Sequence, residues 1–171
     1  MKRSITALFT ILVLLFSVSC GKKEEEPQSI QTNVPFTCTA QINYDTLSLE
    51  AKLTYRNAAG ATLEVLSPDT LKGLIFEYNG ENTTASYKGL SFSLAELNSA
   101  LPSAARLIFS SLASASSEKN TEDAGDSFKI SGNLDSSPYT LYFDKKSGYL
   151  EKFSCPSLKF TADFKDFKFL D

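Results

Sequence analysis

The chain contains no histidine. That absence excludes Ser-His-Asp and Cys-His nucleophiles, an imidazole general base and His-ligated zinc. Carboxylates, lysines and three cysteines are left to do chemistry. Asp163 and Asp166 lie three residues apart, and Glu64 and Glu77 fall where paired strands would bring them together, so either pair could be written as an acid and a base. Both read more simply as solvated charge, because they occupy outward positions of strand-like segments. Lys145-Lys146 and Lys22-Lys23 likewise read as turn and tether residues. No catalysis is expected, and no metal site or cofactor is implied.

The cysteines divide into one that is delivered and two that are folded. Cys20 ends the stretch MKRSITALFTILVLLFSVSC, in which Lys2 and Arg3 precede an apolar run over residues 5–18. A basic start, an apolar middle and small residues before a cleavage point are the parts of a secretion signal. The run falls short of the roughly 20 apolar residues that a spanning helix needs. Ser17, Val18 and Ser19 before the cysteine, with Gly21 and the charged KKEEE after it, resemble a bacterial lipobox. The match departs at Ser17, where an aliphatic residue is usual. The resemblance implies that residues 1–19 are a signal peptide, that the Cys20 thiol takes a diacylglyceryl group, and that cleavage makes Cys20 the new N-terminus. Two acyl chains hold a protein on a bilayer where one gives only marginal binding, so the mature chain is expected outside the cytoplasm, lipid-anchored to a bacterial membrane.

Cys38 and Cys155 remain. Outside the cytoplasm they form either a disulfide joining the first strand-like segment to one of the last, or two separate buried thiols.

The mature chain would have 152 residues, enough for one domain with a sizeable core. It would carry 15 basic against 20 acidic residues, net −5. That balance argues against nucleic acid, whose phosphates ask for a basic patch. It also argues against docking on anionic lipid by charge alone.

Residues 21–35, GKKEEEPQSIQTNVP, hold too little apolar surface to offset the entropy of ordering. With Cys20 they read as a disordered tether over residues 20–35, whose flexible reach is about 20–25 Å.

From Phe36 the pattern has a period of two. Phe36, Cys38, Ala40, Ile42 and Tyr44 alternate with polar residues, and so do Leu47, Leu49, Ala51, Leu53 and Tyr55. Leu63 and Val65 face inward before Ser67-Pro68-Asp69 stops that strand. Leu74, Phe76 and Tyr78 follow, then the tight turn Asn79-Gly80, a return over residues 83–87 and a short strand over residues 90–92. The spacing then becomes helical. Ser93 and Glu96 form a capping box ahead of Leu94, Leu97 and Leu101, with Pro102 as the stop. Ser103 caps a second helix with Ala104, Leu107, Ile108, Ser111 and Leu112 on one face. Residues 113–127 are polar and read as a long mobile loop. Strands resume over residues 128–134, 139–143 and 149–155, and the last begins at Leu158. Its alternation slips near Lys165 or Asp166, as a β-bulge would make it do.

The expected fold is α+β, mainly β: an open, strongly curved antiparallel sheet of about nine strands, an incomplete barrel, with a helical pair plugging its concave face. LEVLSPDTLKGLIFEYNG over residues 63–80, the helices after Ser93 and the closing KFTADFKDFKF resemble the superfamily of the outer-membrane lipoprotein carrier LolA and receptor LolB. The resemblance covers most of residues 36–171, the span expected to form the domain. The amphipathic helix with which members begin is replaced here by the tether. In relatives the concave face holds acyl chains. The resemblance therefore implies an apolar ligand, a lipid or acyl chain, lined by Leu49, Leu53, Leu63, Val65, Leu74, Phe76, Tyr78 and Phe92, unless these pack directly against the helices. Other relatives, in spore-forming bacteria, are lipoprotein partners of cell-wall-modifying enzymes. They suggest the alternative of a protein-interaction scaffold without lipid, for which Leu66, Ile75 and Tyr142 are outward apolar positions.

Overall fold

A computed structural model describes residue 30 and residues 34–57, 60–93, 100–115, 121–134 and 136–170. The leader and most of the tether lie outside the described residues, as do residues 94–99, where the first of the two helices is expected.

Eleven antiparallel strands form one sheet in the order β6-β5-β4-β3-β2-β1-β11-β10-β9-β8-β7. The strands are β1 (Phe36–Tyr44), β2 (Leu47–Tyr55), β3 (Ala61–Ser67), β4 (Ile75–Tyr78), β5 (Thr83–Tyr87), β6 (Leu90–Ser93), β7 (Glu122–Ala124), β8 (Ser127–Leu134), β9 (Ser137–Asp144), β10 (Leu150–Cys155) and β11 (Phe160–Phe169). The chain meanders outward from β1 to one edge, crosses to the other edge, and meanders back so that β11 pairs with β1 in the middle.

The crossing contains the helix, α1 (Ala100–Ala115). Its length is ~24 Å at 1.5 Å per residue, yet it touches β4, β1 and β8. On a flat sheet β4 and β8 would stand seven strand spacings apart, ~33 Å. The sheet must therefore curl around the helix, and the curvature expected from the sequence follows from this connection.

Two expectations change. Pro102 does not stop a helix but lies inside the first turn of α1, where the proline's missing donor leaves no bond broken. The described residues hold one helix of the expected pair. The polar stretch 113–127 is not one long loop either. Helix α1 runs to Ala115, and β7 and β8 make a hairpin about Gly125, whose φ of 77° suits glycine. Strand β7 has no counterpart among the segments expected from the sequence, and with it the sheet has eleven strands against about nine.

The alternation itself holds. Phe36, Cys38, Ala40 and Ile42 are buried along β1, with Leu49, Ala51, Leu53 and Tyr55 beside them on β2. On β11 the ladder to β1 skips between Thr37↔Lys168 and Thr39↔Lys165, and Asp166 sits there in the left-handed region with φ 58°. That is the expected bulge.

Cys38 and Cys155 are both buried free thiols. Cys155 pairs with Phe160, which pairs in turn with Tyr44, so its level on β1 is six residues from Cys38. That is ~20 Å along a strand, against a Cα limit of ~7 Å for a disulfide. Of the two readings open in the sequence, the structure holds the separate thiols. Burial, with the Asp166 carboxylate adding, pushes the Cys38 thiol up to about 12. It stays protonated and acts as a small apolar side chain.

Candidate functional site

Helix α1 carries two functional stripes. Ala104, Ala105, Ile108, Phe109, Leu112 and Ala115 are buried against the sheet, and the Phe109 ring stacks on Tyr78 of β4 at 5.7 Å. The small residues let the helix lie close. Ser103, Arg106, Leu107 and Ser110 follow at i, i+3, i+4 and i+7 and so share an adjoining face. This second stripe forms one wall of a cleft of about 380 Å³, whose other walls are Tyr44, Leu134, Ser137 and Leu158. Its size falls within the range of small-ligand sites.

Each opposing wall comes from a strand end or turn. Tyr44 closes β1 and is held edge-on to Phe160 at 5.8 Å. Leu158 ends the 3-10 turn Pro156–Leu158, between β10 and β11. That turn is tied to the β1–β2 turn twice: the Asp45 amide donates to the Lys159 carbonyl at 3.1 Å, and Lys159 Nζ donates to Asp45 Oδ1 at 2.9 Å. The ion pair is exposed and adds little stability, but it fixes the spacing of the two turns that carry Tyr44 and Leu158. Leu134 and Ser137 end β8 and begin β9.

The cleft combines half-buried apolar walls (Tyr44, Leu107, Leu134, Leu158) with serine hydroxyls and the exposed Arg106 guanidinium. Among the described residues its lining includes no carboxylate, thiol or lysine that could act as a base toward a serine. What it can do is receive an apolar chain and place a cation near a polar or anionic end.

None of the residues expected from the sequence to line a ligand site lines this cleft. Leu49, Leu53, Leu63, Val65 and Phe76 are fully buried in the core. Leu74 and Tyr78 are half-buried, and Phe92 is 46 % exposed on β6. The carboxylate pairs lie on the outer face. Glu64 and Glu77 are diagonal neighbours on β3 and β4, and Asp163 stands opposite Lys152. Leu66, Ile75 and Tyr142 are half-buried; the large apolar side chains most exposed among the described residues are Leu90, Phe92 and Phe169. Among those residues no cluster of metal-ligating side chains occurs, and no helix is long and apolar enough to cross a membrane.

No family model matches the chain, and no curated protein does. Solved structures do. An uncharacterized conserved protein from Thermus thermophilus is 14 % identical, with 81 % of this chain and 80 % of that one covered, at a TM-score of 0.50. A LolA superfamily protein from Nitrosomonas europaea is 9 % identical over 84 % of this chain and 89 % of its own, at a TM-score of 0.42. The complex of the CwlD amidase from Clostridioides difficile with the GerS lipoprotein provides a chain 15 % identical, with 96 % and 95 % covered, at 0.46. A LolA superfamily structure is thus among those that this chain is similar to, and the likeness to the Thermus thermophilus protein, at 0.50, is one of fold.

Proposed function

We propose that this chain is an extracytoplasmic lipoprotein, anchored to a bacterial membrane through Cys20, whose domain over residues 36–171 binds a lipid or acyl chain and does no catalysis. The observation that carries the reading is the cleft, where apolar walls converge beside Arg106 and three serines. The ligand is accordingly placed beside the helix and not along the sheet's inner face, which is packed. The sequence of residues 1–20 supports the anchor. Purified full-length protein is expected to bind a fluorescent fatty acid that unlabelled fatty acid displaces. Leu158→Asp, at a half-exposed turn, sets a carboxylate in the apolar wall and should weaken binding roughly tenfold or more. Absence of saturable binding, or equal binding by the variant, contradicts the assignment.

A second reading, a scaffold partnering a cell-envelope enzyme without lipid, is favoured by edge strand β6, where Leu90 is 62 % exposed and Phe92 46 % exposed. An edge strand offers unpaired backbone groups to another chain. Crosslinking in cells separates the two, since recovery of the same protein through Leu90 supports the scaffold and recovery of lipid alone opposes it.

A further inference from the structure

The cleft and the chain's entry point lie at opposite ends of the strands. Phe36 pairs with Phe169 at one end of β1, and the Leu170 amide donates to the Pro35 carbonyl at 3.0 Å. Tyr44, on the cleft, closes the other end of that nine-residue strand, ~27 Å away.

The entry end carries a run of touching rings. Phe169 meets Tyr149 at 5.1 Å, Tyr149 meets Phe167 at 5.1 Å, and Phe167 meets Phe36 at 5.2 Å. The run starts in the core, at the buried Phe36, and finishes in solvent, at Phe169, which is 43 % exposed. At that end of the strands Lys165, Lys168, Arg56 and Lys146 are exposed, and so are Asp126, Glu81 and Asp166. With the charges near balance, contact there would rest on the rings.

We propose that this aromatic rim docks on the surface of the membrane that holds Cys20, so that the cleft faces away from that membrane. The proposal rests on the lipid anchor proposed above. Its further ground is how little chain separates the anchor from the domain: 15 residues, Gly21 to Pro35, follow Cys20 before the first strand, and Ile30 among them is half-buried against the core, which leaves Gly21 to Ser29 with a root-mean-square reach of about 15–18 Å if flexible. A tether that short keeps the end it joins at a high effective concentration near the bilayer, so a patch of a few rings suffices. Aromatic side chains favour the headgroup level, apolar body inward. The exposed residues on β6 lack this advantage, for Leu90 follows the β5–β6 turn at the cleft end.

The chain has no tryptophan, so one introduced indole reports its own depth. Full-length lipoprotein carrying Phe169→Trp, and separately Leu90→Trp, is reconstituted in phosphatidylethanolamine–phosphatidylglycerol vesicles with bromines on the upper acyl carbons. Docking predicts blue-shifted emission quenched roughly twofold for Phe169→Trp, as fits a ring ~5–10 Å into the interface, and unquenched emission for Leu90→Trp. Vesicles that float with the protein while neither variant is quenched, or while Leu90→Trp is the quenched one, overturn the docking and leave the anchor standing. Loss of flotation, with no acyl mass on the Cys20 peptide, overturns both.

Discussion

Replacing Phe153 by alanine is expected to lower the stability of the domain by about 3–5 kcal/mol. Phe153 is completely buried in the middle of β10, edge-on to Phe160 at 5.0 Å and tilted against Tyr139 at 5.7 Å. Its ladder partners, Ala162 and Leu141, leave little that could collapse into the gap. At ~2–4 °C per kcal/mol for a chain of this size, thermal unfolding should move down by roughly 10 °C. Phe92→Ala is the matched control. That ring is 46 % exposed, and its removal should cost less than about 0.5 kcal/mol, as surface changes usually do. Equal losses for the two variants would mean that the core does not lie where the structure puts it.

The second large effect belongs to a glycine. Gly132 on β8 stands opposite Tyr139 on β9, and the tyrosine ring lies over the space that a side chain would take. A Cβ at Gly132 would come within 2.5 Å of Tyr139 Oη, 2.6 Å of Cζ and 2.8 Å of Cε1. Tyr139 is itself buried and packed on Phe153, so its ring cannot swing away without opening the core. Gly132→Ala should therefore cost about 1–3 kcal/mol, the usual penalty of overpacking. The cause is separable. In a Tyr139→Ala background the clash is gone, and Gly132→Ala should become neutral or slightly stabilising, since glycine is a poor strand residue. Chemical denaturation of the four proteins measures that coupling. Additive losses would show that the glycine is kept for another reason.

How much of this was legible in the sequence depends on whether a feature repeats. Strand alternation repeats, and it located the buried positions of β1, β2 and β3. The slip in β11 also showed, because Phe164 and Phe167 break the period. Strand β7 gave no signal: Glu122, Asp123 and Ala124 are all exposed, and that edge is held by ladder hydrogen bonds and by ion pairs such as Lys129–Glu122 at 2.8 Å. The helix was legible in type but not in rotation. Ala105 and Phe109 face the core where Leu107 was expected, because small residues and one ring fit under a curled sheet better than a row of leucines. That rotation also turns Leu107 toward the cleft. The cleft had no repeat to find. Its lining comes from five separate elements that only the closure of β11 on β1 brings together. The one trace in the sequence was Ser103, Arg106, Leu107 and Ser110 at helical spacing, a half-polar face on a helix expected to be buried.

The claim on which the functional account turns is that a lipid chain lies between the N-terminal half of α1 and the ends of β1, β8 and β10. Nuclear magnetic resonance of isotopically labelled protein during titration with a fatty acid tests it residue by residue. The account predicts saturable amide shifts at Tyr44, Ser103, Arg106, Leu134, Ser137 and Leu158, with Leu49, Leu53 and Leu63 unmoved. Shifts centred on those three leucines, or none at any concentration, would contradict it.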